Sequence, residues 1–131
     1  MPSIVTLISG RGSNFEAIVK TAQKEQWPVT FAGVIANHSA AKGLDFARSQ
    51  GIPAFAIEHK EHATRESFDA ALIEKIDELG ADLVVLAGFM RILTPGFIRH
   101  FEGRLINIHP ALLPAFPGLH THERALEAGV A

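Results

Sequence analysis

Residues 82–87 read Asp82-Leu83-Val84-Val85-Leu86-Ala87, so five apolar residues follow one another without a polar interruption. An antiparallel strand with one solvated face alternates apolar and polar residues, whereas a strand of a parallel sheet is buried on both faces. The segment therefore predicts a buried strand of a parallel sheet.

The sequence on both sides of residues 82–87 alternates between further strand and helix patterns. Strands are predicted at residues 4–8, 29–36, 53–57 and 104–108, and helices at residues 14–25, 40–50, 65–79 and 95–101. Ser39 is the expected N-cap of the second helix, and Gly51 and Gly80 are expected to end the second and third helices. This order predicts an α/β fold, a Rossmann-like doubly wound and mostly parallel sheet with right-handed crossovers.

Composition narrows the class of protein. The chain has 131 residues, of which 47% are hydrophobic and 20% charged, as expected of a single globular domain. A net charge of -2 gives no polycationic surface, so nucleic acid is not an expected partner.

The absence of cysteine excludes disulfides and fits a reducing compartment. No apolar run approaches the roughly 18 residues needed to cross a bilayer, and no signal peptide is indicated, so we expect a soluble, cytoplasmic protein.

The segment that follows the first predicted strand is rich in glycine and small polar residues. It reads Ser9-Gly10-Arg11-Gly12-Ser13-Asn14 and leads into the first predicted helix. Glycines let the backbone approach a ligand, and a helix N-terminus presents free N–H groups to an anion. We interpret the segment as a candidate phosphate-binding turn that is neither a Walker loop nor a dinucleotide fingerprint. The alternative is a tight turn in which Asn14 caps the helix.

A second candidate segment follows the buried strand at residues 82–87. It reads Gly88-Phe89-Met90-Arg91-Ile92-Leu93. A backbone lined by apolar side chains suits a flat heterocycle, whose ring edges pair with main-chain N–H and C=O groups. The alternative is a packed loop with one exposed arginine.

A third candidate is the pair Asn107 and His109, which alternation along an extended chain puts on the same side. An amide N–H can stabilise a developing oxyanion, while histidine transfers protons near neutral pH, so the pair suits acyl transfer. The alternative is a structural histidine. All three candidates fall at the carboxyl ends of predicted strands, where one crevice would collect them.

The other histidines give weaker signals. His120 and His122 have no third ligand at a convincing spacing, and we expect no metal site. His59 and His62 lie in a polar stretch and are expected to be solvated loop residues.

Together the three segments closely resemble those of the phosphoribosylglycinamide formyltransferases, folate-dependent enzymes of purine biosynthesis. Asn107-Ile108-His109-Pro110 and the prolines after it are shared by related formyltransferases, and the Gly-x-Gly-Ser-Asn turn narrows the resemblance. The resemblance implies a formyltransferase fold and transfer of formyl from 10-formyltetrahydrofolate to the amine of 5'-phosphoribosylglycinamide.

The resemblance also implies a role for each candidate residue. The phosphate of the ribonucleotide would be bound by Gly12, Ser13 and Asn14, and the pterin of the folate would be framed by Met90, Arg91, Ile92 and Leu93. Arg65 would meet the distal part of the folate. Asn107 would polarise the formyl oxygen, and protonated His109 would assist the oxyanion and transfer protons.

The chain departs from the family pattern in two places. Position 111 is alanine where many relatives have serine. The family also continues into further strands that contain an Asp-x-Gly-Pro segment, whose aspartate pairs with the catalytic histidine, and no residue here fills that role by motif. We therefore expect residues 1–131 to be the N-terminal portion of one formyltransferase domain, with the C-terminal strands missing and activity lost or severely impaired.

Two other functions, a deformylase and a phosphoribosyl-binding module, stay open, and a third is disfavoured. A formyltetrahydrofolate deformylase would let water attack the formyl group, but it usually carries a regulatory domain before the first strand. A methionyl-tRNA formyltransferase would need a basic surface for tRNA, which the charge balance does not supply. A non-catalytic phosphoribosyl-binding module would keep only the phosphate-binding turn.

Overall fold

The computed structural model describes residues 1–10, 13–90 and 93–108. These described residues form five strands: β1 (Ser3–Ile8), β2 (Thr30–Ala36), β3 (Ala54–Ala56), β4 (Leu83–Ala87) and β5 (Leu105–Ile108). They form one sheet in the order β3-β2-β1-β4-β5, and every neighbouring pair is parallel. The predicted doubly wound parallel sheet is therefore confirmed.

The helices of the described residues are α1 (Ser13–Glu25), α2 (Lys42–Ser49), α3 (Arg65–Glu78) and α4 (Pro95–His100), with one 3₁₀ turn at His59–Glu61. Threonine side chains cap α3 and α4, because Thr64 Oγ1 accepts from Ser67 N at 3.0 Å and Thr94 Oγ1 accepts from Phe97 N at 3.2 Å. Gly51 and Gly80 follow α2 and α3 at φ 73° and 69°, as predicted for helix-ending glycines.

The predicted N-cap of α2 is wrong. The residue before α2 is Ala41, which makes no side-chain capping bond. The backbone N–H of Ser39 instead donates to Glu58 Oε2 at 2.5 Å, beyond β3. Ser39 is thus bonded to a residue distant in sequence and does not cap α2, as its sequence position had suggested.

The two faces of the sheet are covered by different helices. β4 shows this arrangement, since Val85 and Ala87 pack with α1 and α2, whereas Val84 and Leu86 pack with α3 and α4. All four side chains are at most 9% exposed. Burial on both faces explains why residues 83–87 have no polar interruption. None of the helices in the described residues is long and apolar enough to span a membrane.

Candidate active site at the carboxyl ends of the strands

The carboxyl ends of the parallel strands lie at one edge of the sheet. The chain runs outward from β1 in two directions, through β2 to β3 on one side and through β4 to β5 on the other. The loops after β1 and β4 therefore diverge to opposite faces, and ligands of doubly wound sheets bind in the crevice between such loops. All three predicted segments begin at this edge.

A buried serine joins the first and second segments. Ser9 follows β1 directly and is 7% exposed. Its Oγ accepts a hydrogen bond of 2.7 Å from the backbone N–H of Met90, which lies in the loop after β4. The Met90 side chain itself is 78% exposed. The sequence analysis included Ser9 in the candidate phosphate-binding turn but gave it no role of its own, although its position immediately after a buried strand was a usable signal.

Asn14, at the start of α1, lies close to Gly88 in the loop after β4. Asn14 lies in the first turn of α1 and is 8% exposed. Gly88 has a φ of +73°, and a Cβ added to it would lie 3.6 Å from Asn14 Nδ2. Because α1 begins at Ser13, Asn14 lies inside the helix, which does not support the alternative in which it caps the helix.

The third segment reaches the crevice through β5. Asn107 pairs in register with Leu86 of β4 and has an exposed side chain. Residues in register on neighbouring strands point to the same face, so Asn107 shares the face of Leu86, which is covered by α3 and α4. Asn107 and the loop after β4 therefore lie next to each other on the sheet face that α3 and α4 cover. Asn14 lies on α1, which covers the opposite face.

A buried carboxylate fixes the far end of the segment that follows β4. Asp69 of α3 is 2% exposed, and its Oδ2 accepts from Thr94 N at 2.6 Å. Asp69 Oδ1 is buried without a hydrogen-bond partner in the part of the chain that the structure describes. The sequence analysis gave Asp69 no role, although Asp69 shares a helical face with the buried Leu72 and Ile76.

Packing supplies a further attachment for the same segment. The ring of Phe89 stacks on that of Phe68 of α3, with centroids 6.4 Å apart and planes inclined by 4°. Leu93 is half-buried against the core on the α3 side. Phe89 and Met90 are thus held by Phe68 and Ser9, and Thr94 is held by Asp69.

Arg65 lies at the first position of α3 and is exposed. It lines a cavity of about 610 Å³ between the first turns of α3 and α4, together with Thr94 and Arg99. The arginine expected to meet the distal part of a folate is therefore close to the end of the predicted heterocycle segment.

Several predicted positions lie outside the described residues: Gly12, Arg91, Ile92, His109, His120 and His122. Ser13 is described and is exposed at the start of α1. Within residues 1–10, 13–90 and 93–108, no three His, Cys, Asp or Glu side chains group together so as to hold a metal ion.

The sequence matches a known family along almost its whole length. Residues 3–131 match the formyl transferase family model. The chain is 49% identical over 127 residues to the phosphoribosylglycinamide formyltransferase of Escherichia coli strain K12, and the match covers 97% of this chain and 60% of that enzyme.

Solved structures show the same likeness. The phosphoribosylglycinamide formyltransferase of Coxiella burnetii superposes with a TM-score of 0.80 at 47% identity, over 98% of this chain and 60% of that one. Glycinamide ribonucleotide transformylase 1 of Symbiobacterium toebii gives 0.79 at 43% identity, over 99% and 61%.

The chain spans about 60% of the length of these relatives. The family match agrees with the order of the strands in the sheet and with the three sequence segments that resemble those of formyltransferases. The chain therefore belongs to the formyl transferase family.

Proposed function

We propose that the protein transfers the formyl group of 10-formyltetrahydrofolate to the primary amine of 5'-phosphoribosylglycinamide, giving 5'-phosphoribosyl-N-formylglycinamide in de novo purine biosynthesis. The observation that carries the proposal is the junction of the loops after β1 and β4 through Ser9 and Met90, with Asn107 on the adjoining strand. The 49% identity to an enzyme of that name supports it. Both reactants are small molecules, and the expected compartment is the cytoplasm.

The ribonucleotide phosphate would bind at the start of α1. Gly12, Ser13 and Asn14 would supply backbone N–H groups and side-chain donors there. α1 has 13 residues, long enough for its first N–H groups to carry a partial positive charge toward the anion. The closeness of Asn14 to Gly88 would place this phosphate near the folate segment.

The folate would lie along the segment after β4. Met90, Arg91, Ile92 and Leu93 would frame the pterin, whose ring edge would pair with main-chain groups. The hydrogen bonds of Met90 N to Ser9 and of Thr94 N to Asp69 support this proposal, because main-chain groups held in place before binding lower the ordering cost of binding. Arg65 would contact the distal end of the cofactor.

The reaction needs one oxyanion donor and one proton carrier. The amine attacks the formyl carbon, a new C–N bond forms, and the carbonyl oxygen takes up negative charge. The amide of Asn107 would donate to that oxygen, together with protonated His109. The bond to the folate nitrogen then breaks, and the proton released by the amine goes to that nitrogen through His109.

The test is a formyl-transfer assay on the full-length gene product, in which the N-formylated ribonucleotide is detected by mass spectrometry and the released tetrahydrofolate by absorbance. Release of formate without ribonucleotide would instead support the deformylase. Calorimetric binding of ribonucleotide without any turnover would support the phosphoribosyl-binding module. We expect the 131-residue polypeptide alone to be inactive or severely impaired, since no Asp-x-Gly-Pro segment occurs within it.

A further inference from the structure

A half-buried histidine, His59, follows β3 and is attached to the end of β2. Its ring Nδ1 lies 3.1 Å from the carbonyl oxygen of Asn37 and 3.3 Å from the Asn37 side-chain nitrogen. Because a carbonyl oxygen can only accept, Nδ1 carries the proton in the shorter contact. The backbone N–H of His59 donates to the same carbonyl oxygen at 3.3 Å. Asn37, the first residue after β2, therefore holds both the backbone and the ring of His59.

Asn37 is in turn attached to the end of β1. It is buried, and its backbone N–H donates to the carbonyl oxygen of Ile8 at 3.3 Å. The next residue of the chain is Ser9, whose hydroxyl accepts from Met90 N. His59 is thus connected through Asn37 to the place at which the loop after β4 is bonded to the loop after β1.

The ring of His59 also meets the aromatic pair that precedes Met90. It lies edge-on to Phe68 of α3, with centroids 6.4 Å apart and planes inclined by 90°. Phe68 is buried and stacks on Phe89, the residue before Met90. The contacts therefore return to Ser9 through Met90 N. We call this closed set the contact cycle, and its members are Ile8, Ser9, Asn37, His59, Phe68, Phe89 and Met90.

A second histidine touches Phe68 in a different way. The ring of His62 lies 5.8 Å from that of Phe68, and its Nδ1 lies 3.0 Å from Ser67 Oγ. Because Ser67 and Phe68 belong to the same helix, these side-chain contacts of His62 do not tie the helix to the sheet. The contacts of His59 do, since they join Phe68 to the end of β2.

We propose that His59 is a positioning residue for formyl transfer, because it holds Phe68 and Phe89 in place and so fixes the backbone at Met90. Main-chain groups that are fixed before binding lower the ordering cost of binding a flat heterocycle. Loss of the His59 ring should therefore weaken folate binding and leave the chemical step nearly unchanged. The inference rests on the proposed function, in which the segment after β4 binds the folate.

The first test is steady-state kinetics of the full-length gene product. His59→Ala should raise the folate KM roughly twofold to tenfold, the effect of losing one aromatic edge contact, with kcat and the ribonucleotide KM nearly unchanged. His59→Asn keeps an N–H donor near the position of Nδ1 but has no ring to meet Phe68. It should raise the folate KM to a similar extent while losing less stability in thermal unfolding.

His100→Ala is the matched control for these variants. The ring of His100 also lies against a phenylalanine, Phe101, with centroids 4.6 Å apart, but it is at the end of α4 and bonds to Asp77. This variant should leave both KM values unchanged. An unchanged folate KM in His59→Ala and His59→Asn, or an equal rise in His100→Ala, would overturn the assignment.

A second measurement needs no turnover. Hydrogen exchange of the Met90 N–H, followed by NMR, should be faster in both His59 variants, because local opening frees this group from Ser9. The Thr30 N–H, which donates to Pro2 O at 2.8 Å at the other end of the sheet, should exchange as in the wild type. Faster exchange at Thr30 and Met90 alike would indicate general loss of stability and would overturn the assignment.

The two measurements separate this assignment from the proposed function. Faster Met90 exchange in a protein that transfers no formyl group would refute the proposed function and support the hold of His59 on the segment. Formyl transfer with unchanged Met90 exchange would refute the assignment alone, and neither transfer nor a change in exchange would refute both. Faster Met90 exchange with an unchanged folate KM in an active enzyme would refute the assignment of His59 to folate binding.

Discussion

The Oγ of Ser9 accepts a hydrogen bond of 2.7 Å from the backbone N–H of Met90, so the loop after β1 is bonded to the loop after β4. These loops carry the candidate phosphate-binding turn and the candidate folate segment. The buried hydroxyl of Ser9 therefore connects the two loops at which the two reactants would bind.

Ser9→Ala should weaken folate binding more than ribonucleotide binding. The change leaves the Met90 N–H without its acceptor, and a net hydrogen bond contributes about 1 kcal/mol, close to a fivefold change in an equilibrium constant. Steady-state kinetics of the full-length gene product should show this rise in folate KM. Ser49→Ala removes a hydroxyl that bonds Phe46 O on α2 and should leave both KM values unchanged. Similar kinetics for the two variants would contradict the role of Ser9.

Gly88→Ala should reduce both stability and catalysis. Its φ of +73° is strained for alanine by about 1 to 2 kcal/mol, and the new Cβ would contact the Asn14 amide. Gly103→Ala separates the two effects, because Gly103 has a φ of +80° with nothing within 4 Å of an added Cβ. Urea unfolding should show similar losses for both variants, while only Gly88→Ala should impair formyl transfer. Equal activity of the two variants would mean that the space between Gly88 and Asn14 has no functional role.

Asp69→Ala should destabilise the fold by about 1 to 3 kcal/mol, because the partly buried Thr94 N–H loses its acceptor. Asp69→Asn keeps a side-chain oxygen at the same place and should lose less. Asp45→Ala removes an exposed carboxylate of α2 and should stay within about 0.5 kcal/mol of the wild type. Urea unfolding measures all three, and an Asp69→Ala variant as stable as Asp45→Ala would contradict the structural role of this bond.

Asn107→Ala should reduce kcat on the order of 10² to 10³, the usual cost of losing one oxyanion donor. Its side chain is exposed on β5, so unfolding temperature should change little. Single-turnover formyl transfer and thermal unfolding of the same sample measure the two effects. A large loss of stability with a proportional loss of activity would point to a structural role instead.

Glu58 should titrate at a lower pH than an ordinary glutamate. Hydrogen bonds from the backbone and side chain of Ser39 lower the pKa of the Glu58 carboxyl below its ordinary value. A lowered pKa in the folded state means that Glu58 adds stability above its unfolded pKa, and that this contribution is lost as pH falls through the folded pKa. NMR titration of the carboxyl carbon measures the midpoint. Ser39→Ala should raise that midpoint only partway, because the backbone N–H remains, and an unchanged midpoint would exclude a contribution from the hydroxyl.

The sequence predicts the sheet well because the relevant signal is local. Residues 83–87 are apolar without interruption since both sheet faces are covered, and Gly51 and Gly80 end helices through their own φ angles. The candidate segments follow strands, and the parallel topology brings the ends of β1, β4 and β5 to one edge. The positions of these segments can therefore be predicted without knowing which residues far apart in the chain are in contact.

The errors and omissions concern contacts between residues far apart in the chain. His59, expected in a solvated loop, is half-buried, lies 3.1 Å from Asn37 O through Nδ1, and meets the edge of Phe68. The hydrogen bonds of Ser9 and Asp69 were not predicted for the same reason, as their partners lie 81 and 25 residues away. Sequence periodicity reports burial, but it does not report which group accepts a particular hydrogen bond.

The sheet order has a consequence for the synthesis of the protein. β1 pairs with β2 on one side, but its other edge pairs with β4, and Ser3 bonds to Asp82 across 79 residues of sequence. During translation, one edge of β1 therefore stays unpaired until β4, at residues 83–87, has emerged from the ribosome. Long-range parallel pairing is slow to form and leaves apolar strand surface exposed meanwhile. Among the described strands, β1 is thus made before the others, and both of its edges are paired only after β4 has been made.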